Sequence, residues 1–329
     1  MKLRKKGRKL VRRIPGLQAI QEDLSSHCRK RALQKQARED AADVRARLAD
    51  IVRRWPQQIG TSNARPIFIF AAGWRSGSTL LQRMLTSADD IMIWGEAYSR
   101  SQLAGTLLNQ FRAITMDYPL ERYVAHAFEG ELDNQWIANI YPSFDHLIRA
   151  HRAFFTELFA SPAQAMGRPR WGFKEVRLTS EHALYFKLLY PAAKFVFLYR
   201  NPVDAYLSFH NYIKTDYAVW PERPIVSARD FGALWCEMVV DFSENHQAVD
   251  GMLIRYEDLL LDPSAHRKLS DYVEAEIRPV GTFDTIEGRP RRSMVGKRVR
   301  GPVPGRDVAI LKRQVTPLLA KLGHTYSGF

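Results

Sequence analysis

The residues best suited to chemistry in this chain lie in one short turn that contains glycine: Trp74, Arg75, Ser76, Gly77, Ser78 and Thr79. An apolar run at residues 67–71 precedes the turn, and helical spacing resumes from Ser78. A strand that leads through a glycine turn into a helix presents backbone N–H groups and a positive helix end to an anion. The Arg75 guanidinium and the hydroxyls of Ser78 and Thr79 add donors. The turn predicts a phosphate site, although an ordinary strand-to-helix turn with a serine N-cap has the same pattern.

The spacing of this turn differs from that of the loop that binds nucleoside triphosphates. That loop has four residues between its glycines and a lysine before its Ser or Thr. Here three residues separate Gly73 from Gly77, and Ser78 occupies the lysine position. Without that lysine, and with Arg75 placed earlier, the turn suits one phosphate better than a β/γ-phosphate pair with Mg²⁺.

A second pair of phosphate donors follows another apolar run, at residues 194–199. Arg200 comes directly after that run, and Pro202 fits the first turn of a helix, where its missing N–H costs nothing. Ser208 lies further along the same helix. The guanidinium is a forked donor for phosphate, and the serine adds a hydroxyl that faces it. The alternative is a surface arginine at a strand end and a serine inside a helix.

The elements that position these residues alternate between apolar strands and helices. This alternation predicts an α/β fold with a central parallel sheet, right-handed crossovers and flanking helices. Ligands of such sheets collect at the carboxyl ends of the strands. Because both turns begin at such ends, a single ligand can bridge them.

The paired turns resemble the cofactor site of the sulfotransferases that use 3′-phosphoadenosine 5′-phosphosulfate (PAPS). The segment from Arg75 to Leu80 resembles their 5′-phosphosulfate loop, and Arg200 with Ser208 resembles their 3′-phosphate segment. The resemblance covers about residues 65–325 and implies a P-loop-like sulfotransferase fold. It also implies that Trp74 to Thr79, Arg200 and Ser208 bind PAPS as co-substrate, without a metal.

Two further segments resemble parts of the same cofactor site. Tyr256 follows an apolar run and is similar to a tyrosine that contacts the adenine, although a tyrosine at a strand end can simply be half-buried. Lys297 and Arg298 lie in a loop rich in Gly and Arg before a final helix. That loop resembles the basic loop that closes the 3′-phosphate site.

The resemblance also supplies candidate catalytic residues. Glu96 follows a glycine and an apparent second strand, and it looks like the base of the protein-tyrosine-acting and several carbohydrate-acting branches. Lys174 ends a short strand similar to the lysine-bearing strand of several branches, so we expect it to stabilise the leaving oxygen or the sulfuryl group; a salt bridge with Glu175 or Asp204 is the alternative. The small-molecule branch uses a histidine as base, which leaves four further candidates: His126, His146, His151 and His210.

The charge of the chain is concentrated at its N-terminus. The 329 residues have a formal net charge of +14, and residues 1–60 carry 17 basic against 6 acidic side chains. We therefore expect a basic helical extension at 1–60 and a sulfotransferase domain at 61–329, with a helical insert at 97–165 that contributes to the acceptor site. Residues 1–14 can bind an anionic membrane surface, bind a nucleic acid or remain a solvated tail; we predict no nucleic-acid partner.

The remaining composition indicates a cytoplasmic protein. The chain has two cysteines, which form no disulfide framework, and no run of 18 apolar residues that could span a membrane. A position at the inner face of the membrane would follow if the basic arm binds lipid. The chain then resembles a soluble, bacterial-type member of the family.

The predicted function is sulfuryl transfer from PAPS to an acceptor hydroxyl. The wording of both motifs resembles the carbohydrate- and protein-acting branches, which favours a glycan or lipid-linked saccharide acceptor in glycan biosynthesis. A protein or small-molecule hydroxyl is an alternative acceptor. A non-enzymatic protein that binds a nucleotide or anionic lipid on a degenerate P-loop fold is the alternative class, and the missing lysine disfavours a kinase.

Overall fold

A computed structural model describes most of the chain from residue 44 onward. The arm at 1–14, His126, Lys297 and Arg298 lie outside the described residues, so the predictions for them stay predictions. The described ranges are 44–56, 62–96, 101–124, 131, 133, 140–212, 224–279, 285–286, 289–290 and 303–324.

Five parallel strands form the central sheet, in the order β2-β3-β1-β4-β5. This confirms the predicted α/β fold. The strands are β1 Ile67–Ala71, β2 Ile91–Trp94, β3 Arg170–Glu175, β4 Lys194–Tyr199 and β5 Met252–Arg255. A separate antiparallel pair is formed by β6 Thr285–Ile286 and β7 Arg289–Pro290.

Helices cover both faces of the sheet, which explains why the central strands are continuously apolar. All five residues of β1 are buried. The Phe68 ring of β1 lies 4.5 Å from the ring of Phe186 and 4.9 Å from that of Phe173. The helices are α1 Val44–Arg54, α2 Ser78–Thr86, α3 Leu103–Leu108, α4 Phe144–Phe155, α5 Ser161–Ala165, α6 Ser180–Leu189, α7 Pro202–Tyr212, α8 Ala228–Asn245, α9 Tyr256–Leu261, α10 Pro263–Val273 and α11 Gly305–Lys321.

Within the predicted helical insert, the described residues that follow α3 are less regular than the predicted helices. Two 3₁₀ turns follow α3, at Asn109–Ala113 and Glu121–Tyr123, and a π-helical turn at Thr156–Ala160 links α4 to α5. Residues 116–122 are largely exposed, so this part has no continuous apolar stripe to hold a long helix against the core.

The start of the described chain packs tightly on the rest of the structure. Helix α1 buries Val44, Leu48 and Ile51. Arg45 donates through Nη1 to Asn245 Oδ1 at 2.8 Å, and its Nη2 lies 3.2 Å from Asp241 Oδ1. These bonds join α1 to the end of α8. Among the described residues no helix is long and apolar enough to cross a membrane.

His151, one of the alternative bases, lies in the core of the helical insert. It is 4% exposed, with Nδ1 2.7 Å from the Tyr185 hydroxyl and Nε2 3.2 Å from Gln110 Oε1. Burial lowers the pKa of His151 to about 4, because the charged imidazole loses its hydration. A buried, neutral imidazole with two side-chain partners is a packing residue.

Acidification is expected to destabilise the fold through His151. Its folded pKa of about 4 lies below the ordinary value of 6.5, so the unfolded chain takes up the proton first as the pH falls. The stability that the neutral imidazole contributes is complete above pH 6.5 and is lost towards pH 4, at about 1.4 kcal/mol per pH unit. Denaturant titrations at several pH values from 7 to 4 give the free energy of unfolding at each pH. This free energy should fall less steeply with falling pH in His151→Gln than in wild type. Equal slopes would contradict the assignment.

Candidate active site

The first turn is built from left-handed backbone. Gly73, Arg75 and Gly77 have φ angles of 75°, 63° and 91°. Gly77 is the N-cap of α2 and provides no side-chain cap for the helix. Left-handed residues in a turn bring backbone N–H groups together into a concave anion site, and a helix start without a side-chain cap adds further free N–H groups. The turn therefore has a backbone geometry suited to an anion, and the phosphate site itself stays a prediction.

Side chains of this turn divide between packing and the surface. Trp74 is buried, with its ring centroid 5.8 Å from that of Phe209. Ser78 is buried at the start of α2, whereas Thr79 is exposed. The predicted donors Ser78 and Thr79 therefore differ in their exposure to solvent.

The two predicted phosphate turns meet at the carboxyl edge of the sheet. Arg75 donates through Nε to Ser208 Oγ at 2.9 Å, and Arg200 donates through Nη1 to the Arg75 carbonyl at 3.1 Å. They meet because β1 and β4 are adjacent strands and each turn follows its strand directly. Arginines and hydroxyls predicted to bind opposite ends of one cofactor thus form a continuous cluster.

Tyr256 covers both turns from the end of β5. The Arg200 guanidinium carbon lies 4.7 Å from the centroid of the Tyr256 ring. A Cβ atom at Gly77 would lie 2.0 Å from Tyr256 Cδ2, so only glycine allows the ring to approach this closely. The predicted adenine contact of Tyr256 stays a prediction; the ring itself lies against Gly77 and Arg200.

Two buried donors in this cluster have no partner within the described part of the chain. They are the Ser76 hydroxyl, on a residue that is 1% exposed, and Nε of Arg200. Buried polar groups are almost always hydrogen-bonded, so unsatisfied donors beside an arginine cluster mark a place where a ligand can supply acceptors. Phosphate oxygens fit these donors, so the residues present suit the predicted cofactor.

Sequence reasoning missed two residues that hold Arg200 in place. Trp235 of α8 donates its indole N–H to the Arg200 carbonyl at 3.0 Å. The Glu257 carboxylate accepts the backbone N–H of Asn201 at 2.9 Å. Glu257 directly follows Tyr256, so its position in that segment could have identified it as a candidate. The sequence of α8 contains no pattern that identifies Trp235.

Glu96 and Lys174, predicted separately as catalytic residues, form an ion pair. Lys174 is 8% exposed and donates through Nζ to Glu96 Oε1. Lys174 is paired in register with Ile69 of β1, which places it beside the strand that leads into the first turn. The salt bridge that was the alternative for Lys174 therefore exists, but with a different carboxylate from those expected.

The carboxylate next to Lys174 in the sequence has its own partner. Glu175 lies 2.8 Å from Nη2 of Arg177. Burial raises the pKa of the Glu175 carboxyl, Arg177 opposes this rise, and the nearby Glu96 charge adds to it. The pair of Glu96 with Lys174 thus lies beside a second, shielded carboxyl.

The two other described candidate bases, His146 and His210, contact groups outside this ion pair. His146 is exposed on α4 with Nδ1 2.9 Å from Arg149 Nη2, and the His210 ring lies 6.1 Å from that of Tyr206. Within the ranges that the structure describes, no group of His, Cys, Asp and Glu side chains is arranged to hold a metal ion.

A model of the sulfotransferase family matches residues 66–278, which include both turns, Tyr256, Glu96 and Lys174. No curated protein sequence matches the chain.

Several solved sulfotransferase structures resemble the chain at low identity. One from Alicyclobacillus acidocaldarius is 19% identical, covers 80% of this chain and 98% of its own, and has a TM-score of 0.40. The sulfotransferase domain of the curacin biosynthetic pathway is 14% identical, with coverages of 80% and 99% and a TM-score of 0.48. A mouse sulfotransferase in complex with PAP is 11% identical, with coverages of 82% and 90% and a TM-score of 0.39.

Proposed function

Because this chain belongs to the sulfotransferase family, we propose that it transfers the sulfuryl group of PAPS to a hydroxyl of a carbohydrate acceptor, with Glu96 as the base. Dependence on PAPS is a general property of the family. The observation that carries the proposal is the meeting of two phosphate turns through the Arg75–Ser208 and Arg200–Arg75 bonds. In the same cluster, the Ser76 hydroxyl and Arg200 Nε are buried donors without partners among the described residues.

The two turns would hold opposite ends of the nucleotide. The backbone N–H groups between Gly73 and Ser78, with Arg75, would bind the 5′-phosphosulfate. Arg200 and Ser208 would bind the 3′-phosphate, for which a guanidinium supplies paired donors. Such a grip on both ends orients the reacting sulfur, and orientation is a large part of catalysis for group transfer.

The transfer itself exchanges one sulfur–oxygen bond for another. The acceptor oxygen attacks the sulfur in line while the bond from sulfur to the bridging phosphate oxygen breaks. The acceptor proton goes to the Glu96 carboxylate, and the leaving 3′,5′-ADP carries the developing negative charge. The Lys174 ammonium, already beside Glu96, would stabilise that charge together with the Arg75 guanidinium.

The acceptor class rests on the wording of two segments. The Arg-Ser-Gly-Ser turn at residues 75–78 and the Gly95-Glu96 pair resemble glycan- and protein-acting branches more than the small-molecule branch. A basic arm at residues 1–14 also suits a glycan assembled at the inner face of a membrane. We therefore favour a glycan or lipid-linked saccharide over a protein or small-molecule hydroxyl.

Turnover of PAPS labelled with ³⁵S tests this function directly. The panel should contain mono- and oligosaccharides, a lipid-linked saccharide, a tyrosine-containing peptide, a phenol and a steroid. Label should move to a saccharide in a reaction that needs no added metal. Transfer to the peptide or phenol alone would contradict the carbohydrate acceptor and assign a protein or small-molecule acceptor in its place. Binding of PAPS without transfer to any acceptor would favour a non-enzymatic nucleotide-binding protein.

Replacing the predicted 3′-phosphate residues should make the protein lose discrimination between nucleotides. Arg200→Ala and Ser208→Ala should weaken the binding of 3′,5′-ADP far more than the binding of 5′-AMP, since each charge-assisted hydrogen bond contributes about 1.5–3 kcal/mol. Calorimetric titrations of both ligands measure the difference. Arg306→Ala, which removes the same charge from an exposed site on α11, is the control, and equal losses for both ligands would refute the 3′-phosphate role.

We further propose that residues 1–14 bind an anionic membrane surface. Eight of the twelve residues from Lys2 to Arg13 are cationic, and each basic residue near such a surface contributes about 1 kcal/mol. Deletion of residues 1–14 should leave PAPS binding intact and reduce co-sedimentation with vesicles that contain phosphatidylglycerol. Vesicles of phosphatidylcholine alone are the control. Undiminished sedimentation of the truncated chain would exclude this role for the arm.

A further inference from the structure

Glu96 follows the end of β2 after a single glycine. On the free edge of β2, Gln82 Nε2 donates to the Ile93 carbonyl at 2.8 Å and Thr86 Oγ1 accepts the Ile93 N–H at 3.3 Å. Strand β2 is an edge strand, so it is paired with β3 on one side only. Gly95 separates the strand end from Glu96, and a Cβ atom placed there would meet nothing within 4 Å. Glu96 therefore follows an edge strand and a loosely packed glycine. A base must lie at hydrogen-bond distance from the acceptor hydroxyl, so the position of this segment needs to be fixed by further contacts.

The last residue of β2 supplies a restraint from outside the sheet. Trp94 donates its indole N–H to the carbonyl of Phe159 at 3.0 Å. Trp94 lies two residues before Glu96, and its register partner in β3 is Phe173, the residue before Lys174. The indole bond thus fixes the strand end from which the Glu96 segment departs.

Phe159 belongs to the π-helical turn at Thr156–Ala160. The Ser161 N–H bonds to the Thr156 carbonyl, five residues earlier, in place of the usual four. The π-helix is rare, occurs mostly as single turns inside α-helices, and is frequently found at functional sites. Here the turn carries the carbonyl that accepts the Trp94 indole.

The Phe159 ring contacts the lysine side of the pair. It is stacked on Trp171 at 5.9 Å with an interplanar angle of 12°, and it lies 5.4 Å from Phe173. Both rings belong to β3, which carries Lys174. One residue of the π turn therefore bonds to the glutamate-bearing strand through its carbonyl and packs on the lysine-bearing strand through its ring.

We infer that Trp94 is a positioning residue, and that its bond to the π turn sets where the Glu96 carboxylate meets the Lys174 ammonium. This inference rests on the proposed function, in which Glu96 is the base. Trp94 does not touch the reacting atoms in this account; it acts through Glu96. A displacement of about 1 Å at a catalytic group can cost about 100-fold in rate, so a single anchoring bond has a measurable effect.

Trp94→Phe tests the inference, because it keeps a ring and removes the N–H donor. We expect kcat to fall about 10- to 100-fold, with unchanged affinity for 3′,5′-ADP by calorimetry. Replacement of Trp94 by β-(3-benzothienyl)alanine, which exchanges only the N–H for sulfur, should give the same loss if the phenylalanine variant is poorly folded. Trp235→Phe is the matched contrast: its indole holds the Arg200 carbonyl, so it should weaken 3′,5′-ADP binding.

A double variant separates this inference from the assignment of the base. If Trp94 acts through Glu96, Trp94→Phe should cause no further loss in a Glu96→Gln background, because contributions through one group are not additive. A full additional loss in that background would show that Trp94 acts elsewhere and would overturn the inference. Wild-type kcat in Trp94→Phe, beside an inactive Glu96→Gln, would overturn the positioning role and leave the base assigned. An active Glu96→Gln would remove both.

Discussion

Glu96→Gln is expected to lower kcat by roughly 10²–10⁴, the usual contribution of a general base, while PAPS affinity and the fold are retained. The amide keeps the size of the side chain, and its oxygen can still accept the hydrogen bond from Lys174. The capacity to take the acceptor proton is lost, together with the negative charge that faces the Lys174 ammonium. Steady-state turnover of labelled PAPS, with calorimetry of 3′,5′-ADP on the same preparation, separates the chemical step from cofactor binding.

The same substitution at an exposed position controls for the loss of charge. Glu244→Gln on α8 breaks a surface ion pair with Lys321 at 3.1 Å and should leave kcat unchanged. The acidic limb of the pH profile of kcat/KM should also disappear in Glu96→Gln, since a carboxylate base must be ionised to act. Near wild-type turnover in Glu96→Gln would return the base to the histidines, with His126 and His146 tested first.

Gly77→Ala is expected to lower the affinity for 3′,5′-ADP by about 100-fold or more. Its φ of 91° is strained for any residue with a side chain, at about 1–3 kcal/mol of stability. The expected loss of affinity, which corresponds to about 2.7 kcal/mol of binding free energy, comes from the geometry of the turn. The added Cβ would also lie 2.0 Å from Tyr256 Cδ2. To relieve that overlap the Tyr256 ring must move away from Arg200 or the turn must open, and either change disturbs the phosphate donors.

Gly167→Ala separates the local clash from general backbone strain. Gly167 has a φ of 75°, but a Cβ atom there would meet nothing within 4 Å. We expect this control to lose some stability in thermal unfolding and to bind 3′,5′-ADP as wild type does. If Gly77→Ala binds the nucleotide no worse than Gly167→Ala, the turn is not the cofactor site.

The parts of the site that the sequence predicts are those carried by short continuous segments. The first turn can be predicted from the sequence because a buried strand, glycines and a helix start follow one another within residues 67–85. Arg200 can be predicted because it directly follows a second strand of the same kind. Parallel strands bring their carboxyl ends to one edge, and the adjacency of β1 and β4 then brings Arg75 to Ser208.

The parts that the sequence does not predict depend on contacts between distant segments. The partner of Lys174 is Glu96, 78 residues away, whereas sequence reasoning considered a neighbouring carboxylate and one on α7. Trp94 bonds to Phe159, which is 65 residues away in the sequence. No residue pattern at the end of α4 predicts the π turn that follows it. Such contacts are set by how helices pack on the sheet edge, which local spacing does not encode.

Calorimetric titration of the wild-type chain with 3′,5′-ADP, 5′-AMP and ATP with Mg²⁺ tests whether the two joined turns hold the two phosphate ends of a PAPS-like nucleotide. We expect 3′,5′-ADP to bind at least about tenfold more tightly than 5′-AMP, because Arg200 and Ser208 add about 1.5–3 kcal/mol for the 3′-phosphate, and we expect no binding of ATP with Mg²⁺. Binding of ATP with Mg²⁺, or equal affinity for 3′,5′-ADP and 5′-AMP, would contradict this role of the turns.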